Sequence, residues 1–301
     1  MRVFVTGASG NVGAALVPEL LTAGHTVVGL ARSDAAAEIV RSRGGLVVRG
    51  ALDDLDLLSA AARAADGVIH LAFEHDEQHS GNLVAAAASD LQAVQAIGAA
   101  LGGSGKPFVS TNATCAFALA GFEGLLTEHD TLTAGWRIEA ENEVIGLAEH
   151  GVRSSVIRLP PTVHGEGEFG LASVLVQTAS AAGVSGYLGN GSNVWPSADM
   201  RDVAVLYRLA LESAVAGSRL HAVAEPGISL LEIAALIGRH LAIPVRSIAA
   251  EDSERHFRHV NAFVGLDNPT SSLVTSEALG WKPAYPGFLA DFDHESNFEV
   301  E

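Results

Sequence analysis

Thr6-Gly7-Ala8-Ser9-Gly10-Asn11-Val12-Gly13 stands directly behind a β-branched run, Val3-Phe4-Val5, and opens an alanine- and leucine-rich stretch that reads as a helix from about Val12 to Ala23. Three glycines at three-residue spacing between a strand and a helix have separate physical jobs. One allows a tight turn, one lets the backbone approach a pyrophosphate, and one lets the helix pack on the strand. The helix start adds unpaired N–H groups and a partial positive charge. Gly7, Ser9, Gly10, Asn11, Val12 and Gly13 are therefore expected to cradle the diphosphate of a dinucleotide, because the strand before them and the helix after them supply the context such a motif needs.

Outward from this turn, short apolar strands alternate with helical stretches. Strands are expected at Thr26 to Leu30, Leu46 to Val48, Val68 to Leu71, Pro107 to Ser110 and Ser154 to Leu159. Helices are expected near Ala35 to Ser42, Leu55 to Ala64, Gly81 to Leu101 and Ala134 to His150. Alternation with connections this short implies right-handed crossovers and a parallel sheet covered on both faces, an α/β doubly wound fold of the Rossmann type. After Arg158 the pattern loosens into glycine- and proline-marked loops, with helices near Leu171 to Ala182, Met200 to Ala214 and Leu230 to Leu241. The expected division is a dinucleotide-binding domain over 1–160 and a smaller substrate lobe over 161–301, with the chain crossing back to the sheet.

The 301 residues are 48% hydrophobic and 18% charged, enough apolar content for a large core. Lys+Arg of 18 against Asp+Glu of 35 gives a net charge of −17, which argues against nucleic acid and anionic membrane surfaces as partners. The single cysteine, Cys115, excludes an internal disulfide and reads as a buried thiol. The opening Met1-Arg2-Val3-Phe4-Val5 has no secretory pattern, and no apolar run is expected to reach the ~18–20 residues that span a bilayer, so a cytoplasmic location is expected. His75 and His79, and His256 and His259, have helical spacing but no third ligand at a recognisable distance, so no metal is expected. The segments around Ser9 and Ser110 lack a nucleophile elbow.

The second strand runs out through Gly29-Leu30-Ala31-Arg32-Ser33-Asp34. A carboxylate at that strand end takes the ribose 2′-hydroxyl of NAD; here Arg32, helped by Ser33, suits the 2′-phosphate of NADP. NADP is therefore expected over NAD. The competing reading makes Arg32 an ordinary solvated residue and Asp34 the ribose ligand.

The sequence resembles the extended short-chain dehydrogenase/reductase superfamily, the group related to sugar-nucleotide epimerases and dehydratases, over nearly its whole length. Thr6-Gly7-x-x-Gly10-x-x-Gly13 matches the cofactor motif. Gly50-Ala51-Leu52-Asp53-Asp54 is similar to the adenine-side segment, and His70-Leu71-Ala72-Phe73 to the segment lining the cofactor. Arg158-Leu159-Pro160-Pro161-Thr162-Val163-His164-Gly165 is similar to the strand and loop at the nicotinamide. Arg201-Asp202-Val203-Ala204 and Trp281-Lys282-Pro283 resemble later landmarks. The resemblance implies that Leu52, Asp53, Leu71, Ala72, Phe73, Thr111, Pro160, Pro161 and Val163 line the cofactor. It also implies a homodimer paired through the two long helices.

The departure from the family lies in its catalytic tyrosine with a lysine four residues on. Tyr187, Tyr207 and Tyr285 have no lysine at that spacing, and the chain's two lysines are Lys106 and Lys282. In the segment Thr133 to Glu141, Arg137 falls near the lysine position with Thr133 near the tyrosine position. In the alternative register Arg137 takes the tyrosine site and Glu141 the lysine site, and the two, four apart on one helix face, would form an ion pair. The substrate-hydroxyl role at Ser110-Thr111-Asn112-Ala113-Thr114 passes to Thr114 or Asn112. Candidate donors to a developing oxyanion are thus Thr114, Arg137, Asn112, His164 or a bound water. Tyr187 and Trp195 are expected in one wall of the substrate cleft, with Glu74 and Trp136 also on the substrate side. The expected activity is NADP-dependent reduction of the carbonyl, or imine, of a small and rather apolar substrate. The alternative is a catalytically silent NAD(P)-binding redox sensor.

Overall fold

A computed structural model of the chain describes residues 1–73, 83–165, 167 and 169–298. The glycine turn joins β1 (Arg2–Thr6) to α1 (Asn11–Thr22), followed by β2 (Thr26–Ala31), α2 (Asp34–Ser42), β3 (Leu46–Arg49), α3 (Leu55–Ala64) and β4 (Gly67–His70). Next come α4 (Leu83–Leu101), β5 (Pro107–Ala113), a short α5 (Cys115–Leu119), α6 (Ile138–Gly146) and β6 (Arg153–Leu159). These strands and a late one, β10 (Ser218–His221), form a seven-stranded sheet in the order β10-β6-β5-β4-β1-β2-β3, parallel throughout. Strand order reverses between β1 and β4, so the crevice where such sheets take ligands opens at the ends of these two strands.

Each face of the sheet has its own core. Val3, Val5 and Ile69 pack with Leu16, Val17 and Leu20 of α1 and with Leu206 and Tyr207 of α8 (Met200–Ser213). Phe4, Val68 and Phe108 face Leu58 of α3, Val94 and Ile97 of α4, and Val144 of α6. By length and composition Val84–Leu101 could cross a membrane, although it is interrupted by Ser89, Asp90, Gln92 and Gln95. It instead packs along α3 and α6, with Ala93, Val94, Ile97 and Leu101 in the core.

Between β6 and β10 the chain builds elements that its glycines and prolines disguise as loops. They are β7 (Thr162–His164), α7 (Leu171–Ala182), β8 (Ser185–Leu188) and β9 (Val194–Asp199), which leads into α8. After β10 come β11 (Glu225–Ser229), α9 (Leu230–Leu241), β12 (Val245–Ile248), α10 (Ala250–Phe257), a single turn α11 (Asn261–Val264), α12 (Leu273–Leu279) and α13 (Phe288–Phe292). A three-stranded sheet runs β11-β9-β7 and a two-stranded one pairs β12 with β8. Trp195, Phe257, Phe263, Phe288 and Phe292 bury themselves between these pieces and α7 and α9.

Two expectations need correction here. Trp195 is no cleft wall: it is 1% exposed and lies in this second core. The helix expected from Ala134 begins only at Ile138, because Arg137 adopts a left-handed backbone (φ 61°, ψ 0°) as its N-cap.

Candidate active site

Gly7 turns the chain out of β1 with φ 74°, and its missing Cβ would sit 2.8 Å from the Ala72 nitrogen beyond β4. The Gly10 N–H closes the turn on the Gly7 carbonyl at 3.0 Å. Gly10 is the N-cap of α1 with no side chain to occupy the first-turn N–H groups, and that turn carries no acidic residue. A Cβ at Gly10 would meet only the Gly7 oxygen, at 3.3 Å, so a methyl would project into the open cradle. A Cβ at Gly13 would lie 2.6 Å from the Ala8 oxygen, so this glycine is needed for helix-on-turn packing. Ser9 is half-buried, Asn11 exposed and Val12 half-buried beside the core. These residues fit a dinucleotide diphosphate: a bare helix start, positively polarised, lies at the topological switch of the sheet.

On the adenosine side β2 ends at buried Ala31, with Arg32 and Ser33 exposed beyond it. The Ser33 hydroxyl caps α2 by accepting the Ala36 N–H at 3.1 Å. Asp34 is paired with Arg49 at 3.1 Å. Leu52 packs in the core with Leu30 and Leu58, while Asp53 is exposed. Arg43, which no motif marks, reaches from the end of α2 to the glycine turn and donates from Nη1 to the carbonyls of Ala8 (2.7 Å) and Gly10 (3.1 Å).

Across the crevice, Leu71, Ala72 and Phe73 follow β4 and are half-buried. Beneath them runs a buried hydrogen-bonded chain. The Ala72 N–H donates to the Thr6 hydroxyl (3.2 Å), which faces His70 Nδ1 (2.8 Å), and His70 Nε2 faces Asp90 of α4 (3.1 Å). Arg137 donates from Nε to the other Asp90 oxygen (3.2 Å) and from Nη2 to the Thr111 carbonyl (2.6 Å). Burial alone would raise the Asp90 carboxyl, but Arg137 and His70 hold it below the usual carboxylate range. Thr111 gives its own hydroxyl to the His70 carbonyl (2.7 Å) and meets the buried Tyr207 hydroxyl at 2.6 Å. Burial pushes the Tyr207 phenol well above its ordinary value.

The Arg137 guanidinium lies over the Phe73 ring, 4.3 Å from its centroid, and Trp136 meets Phe73 edge-on at 5.9 Å. The Trp136 indole N–H has no hydrogen-bond partner among the described residues, and Arg137 Nη1 makes no hydrogen bond there either. Arg137, Phe73 and Trp136 thus form one cluster at the mouth of the crevice. Glu74, expected beside them, lies outside the described residues.

The other candidate donors are committed elsewhere. The Arg137–Glu141 ion pair does not form, since the left-handed Arg137 stands before the helix that carries Glu141. Glu141 is instead held by Arg158 and Arg219 (2.9 Å) and accepts Asn112 Nδ2 at 2.6 Å. Asn112 also accepts the Ala113 N–H (2.8 Å) and is 1% exposed, so it works inside the protein. Thr114 is fully buried and accepts Asn268 Nδ2 at 2.7 Å. Burial pushes the Cys115 thiol up to about 12. Pro160 is buried and Pro161 and Val163 half-buried on the way into β7.

His164, expected at the nicotinamide, is 1% exposed. Its Nδ1 meets Asp291 at 2.8 Å, its ring stacks on Phe169, and its Nε2 is sealed without a partner among the described residues. His164, Asp199 and Asp291 form a metal-ligand-type grouping, but Arg201 already spans both Asp199 oxygens at 2.9 and 2.6 Å. Tyr187 is half-buried on β8, against the Gly191 turn and Leu231.

Sequence reasoning missed Arg43 and Asp90. Asp90 did carry a signal: it is the one charged residue in a 19-residue helix, and such a carboxylate is rarely buried without a partner.

A family model described as the NAD dependent epimerase/dehydratase family matches residues 3–223. An uncharacterized protein of Schizosaccharomyces pombe is 42% identical over 301 residues, covering 99% of this chain and 100% of that protein. An uncharacterized protein of Saccharomyces cerevisiae is 41% identical over 296 residues, 97% of each. Among solved structures, a dTDP-glucose 4,6-dehydratase from Streptomyces venezuelae with NAD bound superposes with a TM-score of 0.75 at 19% identity, covering 97% of this chain and 95% of that one. A UDP-glucose 4-epimerase from Thermotoga maritima with UDP-glucose superposes at 0.71 and 17% identity, covering 94% of each chain. At such identities these two structures speak for the fold alone.

Proposed function

The chain belongs to the NAD-dependent epimerase/dehydratase family, and we propose that it is an NADP-dependent oxidoreductase that reduces the carbonyl of a small, rather apolar substrate, with Arg137 stabilising the developing oxyanion. The observation that carries this reading is the setting of Arg137. Its guanidinium is clamped by Asp90 and the Thr111 carbonyl, keeps Nη1 uncommitted among the described residues, and stands beside two aromatic rings at the mouth of the crevice. Its left-handed backbone adds support, because a non-glycine residue held there costs about 1 kcal/mol or more and such strain concentrates at functional positions.

Bound nicotinamide supplies the hydride. The protein's part is to hold the dinucleotide at the α1 start, offer Arg32 to a 2′-phosphate, and place a fixed cation where negative charge grows on the substrate oxygen. Arginine stays protonated throughout, so Arg137 donates a hydrogen bond and the proton that completes the alcohol comes from water. Asp90 already balances the Arg137 charge, so a bound carboxylate would leave the buried cluster net negative. A neutral carbonyl needs no such compensation. Phe73 and Trp136 supply apolar surface beside it.

The test is NADPH oxidation, followed by nicotinamide absorbance, against a panel of aryl ketones and aldehydes. Turnover that collapses in Arg137→Met is expected. Tight NADPH binding with no turnover of any panel member overturns the reading for that substrate class. That outcome supports the silent sensor instead, which the sealing of Thr114 and Asn112 favours.

A further inference from the structure

β1 and β4 lie side by side in the sheet, and their last residues, Thr6 and His70, are register partners. Both are fully buried. The His70 ring is held at each nitrogen: Nδ1 faces the Thr6 hydroxyl at 2.8 Å, and Nε2 meets one oxygen of Asp90 at 3.1 Å. The Thr6 hydroxyl also accepts the Ala72 N–H at 3.2 Å, the nitrogen that Gly7 approaches as it turns. The other Asp90 oxygen accepts Arg137 Nε at 3.2 Å. An arginine facing an otherwise free carboxylate frequently takes it with two parallel bonds, one to each oxygen. That fork is absent here among the described residues. Asp90 gives Arg137 one oxygen, since His70 occupies the other, and Arg137 Nη2 turns to the Thr111 carbonyl at 2.6 Å.

We infer that His70 is a positioning residue for Arg137: by occupying one oxygen of Asp90 it keeps the carboxylate from closing on the guanidinium fork. The inference rests on the Arg137 reading above and deepens it. A carboxylate held at one oxygen turns about its last bond; held at both, it keeps one plane. Fixed by His70, Asp90 presents a single oxygen to Nε and leaves Nη2 for Thr111. Without a side chain on that second oxygen, a buried acceptor is stranded, which is costly. Its nearest remedy is another N–H of the same guanidinium. The fork then closes, Nη2 leaves the Thr111 carbonyl, and the cation is drawn off the seat from which it faces the substrate oxygen. Thr6 completes the device. It fixes the far side of the His70 ring to the strand that carries the glycine turn, so Thr6, His70 and Asp90 join the dinucleotide cradle to Arg137. Such supporting hydrogen bonds decide whether a functional side chain is held closely enough to act.

Two substitutions in the full chain test this. His70→Asn keeps a polar group toward Thr6 but is too short for Asp90, whereas the longer amide of His70→Gln reaches Asp90. Crystal structures of the two variants need no substrate. In His70→Asn, Arg137 is expected to hold both Asp90 oxygens and to release the Thr111 carbonyl; in His70→Gln it is expected to keep its present bonds. An Arg137 that stays on one Asp90 oxygen and on Thr111 in His70→Asn overturns the inference. Kinetics on a competent carbonyl give the second readout. His70→Asn is expected to lower kcat about tenfold to a hundredfold, the cost of a misplaced group, with KM and the NADPH dissociation constant within about twofold. His70→Gln is expected to restore most of the loss. A lowered melting midpoint in His70→Asn with unchanged kcat makes His70 a packing residue only and overturns the inference. Undiminished turnover in Arg137→Met overturns the oxyanion reading itself, and the crystallographic comparison then still decides whether His70 seats Arg137.

Discussion

Asp90 and Arg137 meet at 3.2 Å, the carboxylate 2% and the guanidinium 7% exposed, across 47 residues of sequence. Removing one member of such a buried pair strands the other charge, at about 3–5 kcal/mol. Asp90→Ala is therefore expected to lower the urea midpoint sharply. Asp90→Asn, which keeps shape and one hydrogen bond, is expected to fold with a smaller loss. In Asp90→Asn, turnover should fall while the NADPH dissociation constant stays near wild type, because Asp90 positions Arg137 and does not face the diphosphate. A proportional loss of NADPH binding would contradict that division of labour.

Arg137→Lys removes the fork that reaches Asp90 and the Thr111 carbonyl together. Loss of a preorganised oxyanion donor typically lowers kcat by about a hundredfold to a thousandfold, and that range is expected for Arg137→Lys and Arg137→Met on whichever ketone proves competent. A double-mutant cycle with Asp90→Asn should show strong coupling, since both substitutions disable one device. Strict additivity would mean that the two act independently.

The glycines give a sharper contrast. Gly13→Ala drives a methyl into the Ala8 carbonyl at 2.6 Å, backbone against backbone, so both stability and cofactor binding should fall. Gly10→Ala meets only one oxygen at 3.3 Å and has an ordinary extended backbone, φ −79°. It is expected to fold with a nearly unchanged midpoint yet to lose NADPH affinity, because the methyl enters the anion cradle. Comparison of melting midpoint with NADPH titration separates the two effects.

The first half of the chain was legible because period and punctuation agree. α3 spans Leu55–Ala64 as its alanine and leucine pattern suggests, and β1, β2 and β5 fall where the β-branched runs lie. The strands β7 to β9, β11 and β12 were not read. They are three to six residues long, carry Pro196, Pro226, Gly186 and Gly227, and owe their pairing to partners distant in sequence. The site was legible where backbone makes it, at Gly7 to Gly13, and illegible where side chains from distant elements meet. The Arg137–Glu141 pairing fails because the i,i+4 rule presumes a helix that starts four residues earlier than it does, and the partner of Arg137, Asp90, lies 47 residues away. Trp195 and His164 have side chains suited to a cleft, and only tertiary packing reveals that both are sealed.

A last expectation concerns acid. His221 on β10 is fully buried; Nδ1 faces the Ser271 carbonyl at 2.6 Å and Nε2 faces Arg158 at 3.1 Å. Burial, with the Arg158 cation beside it, pushes the His221 imidazole down to about 4 from an ordinary 6.5. A histidine whose folded value is depressed favours the fold in its neutral form. Its contribution is therefore complete above the unfolded value and is lost as pH falls from about 6.5 through about 4, up to roughly 3 kcal/mol in all. Nearby, burial alone would raise the Glu141 carboxyl, but Arg158 outweighs that and holds it below its ordinary range. The urea midpoint should therefore decline between neutrality and pH 4, and His221→Gln, which cannot titrate, should flatten that decline at some loss of stability at neutral pH. An unchanged pH profile in His221→Gln would assign the acid limb to other groups.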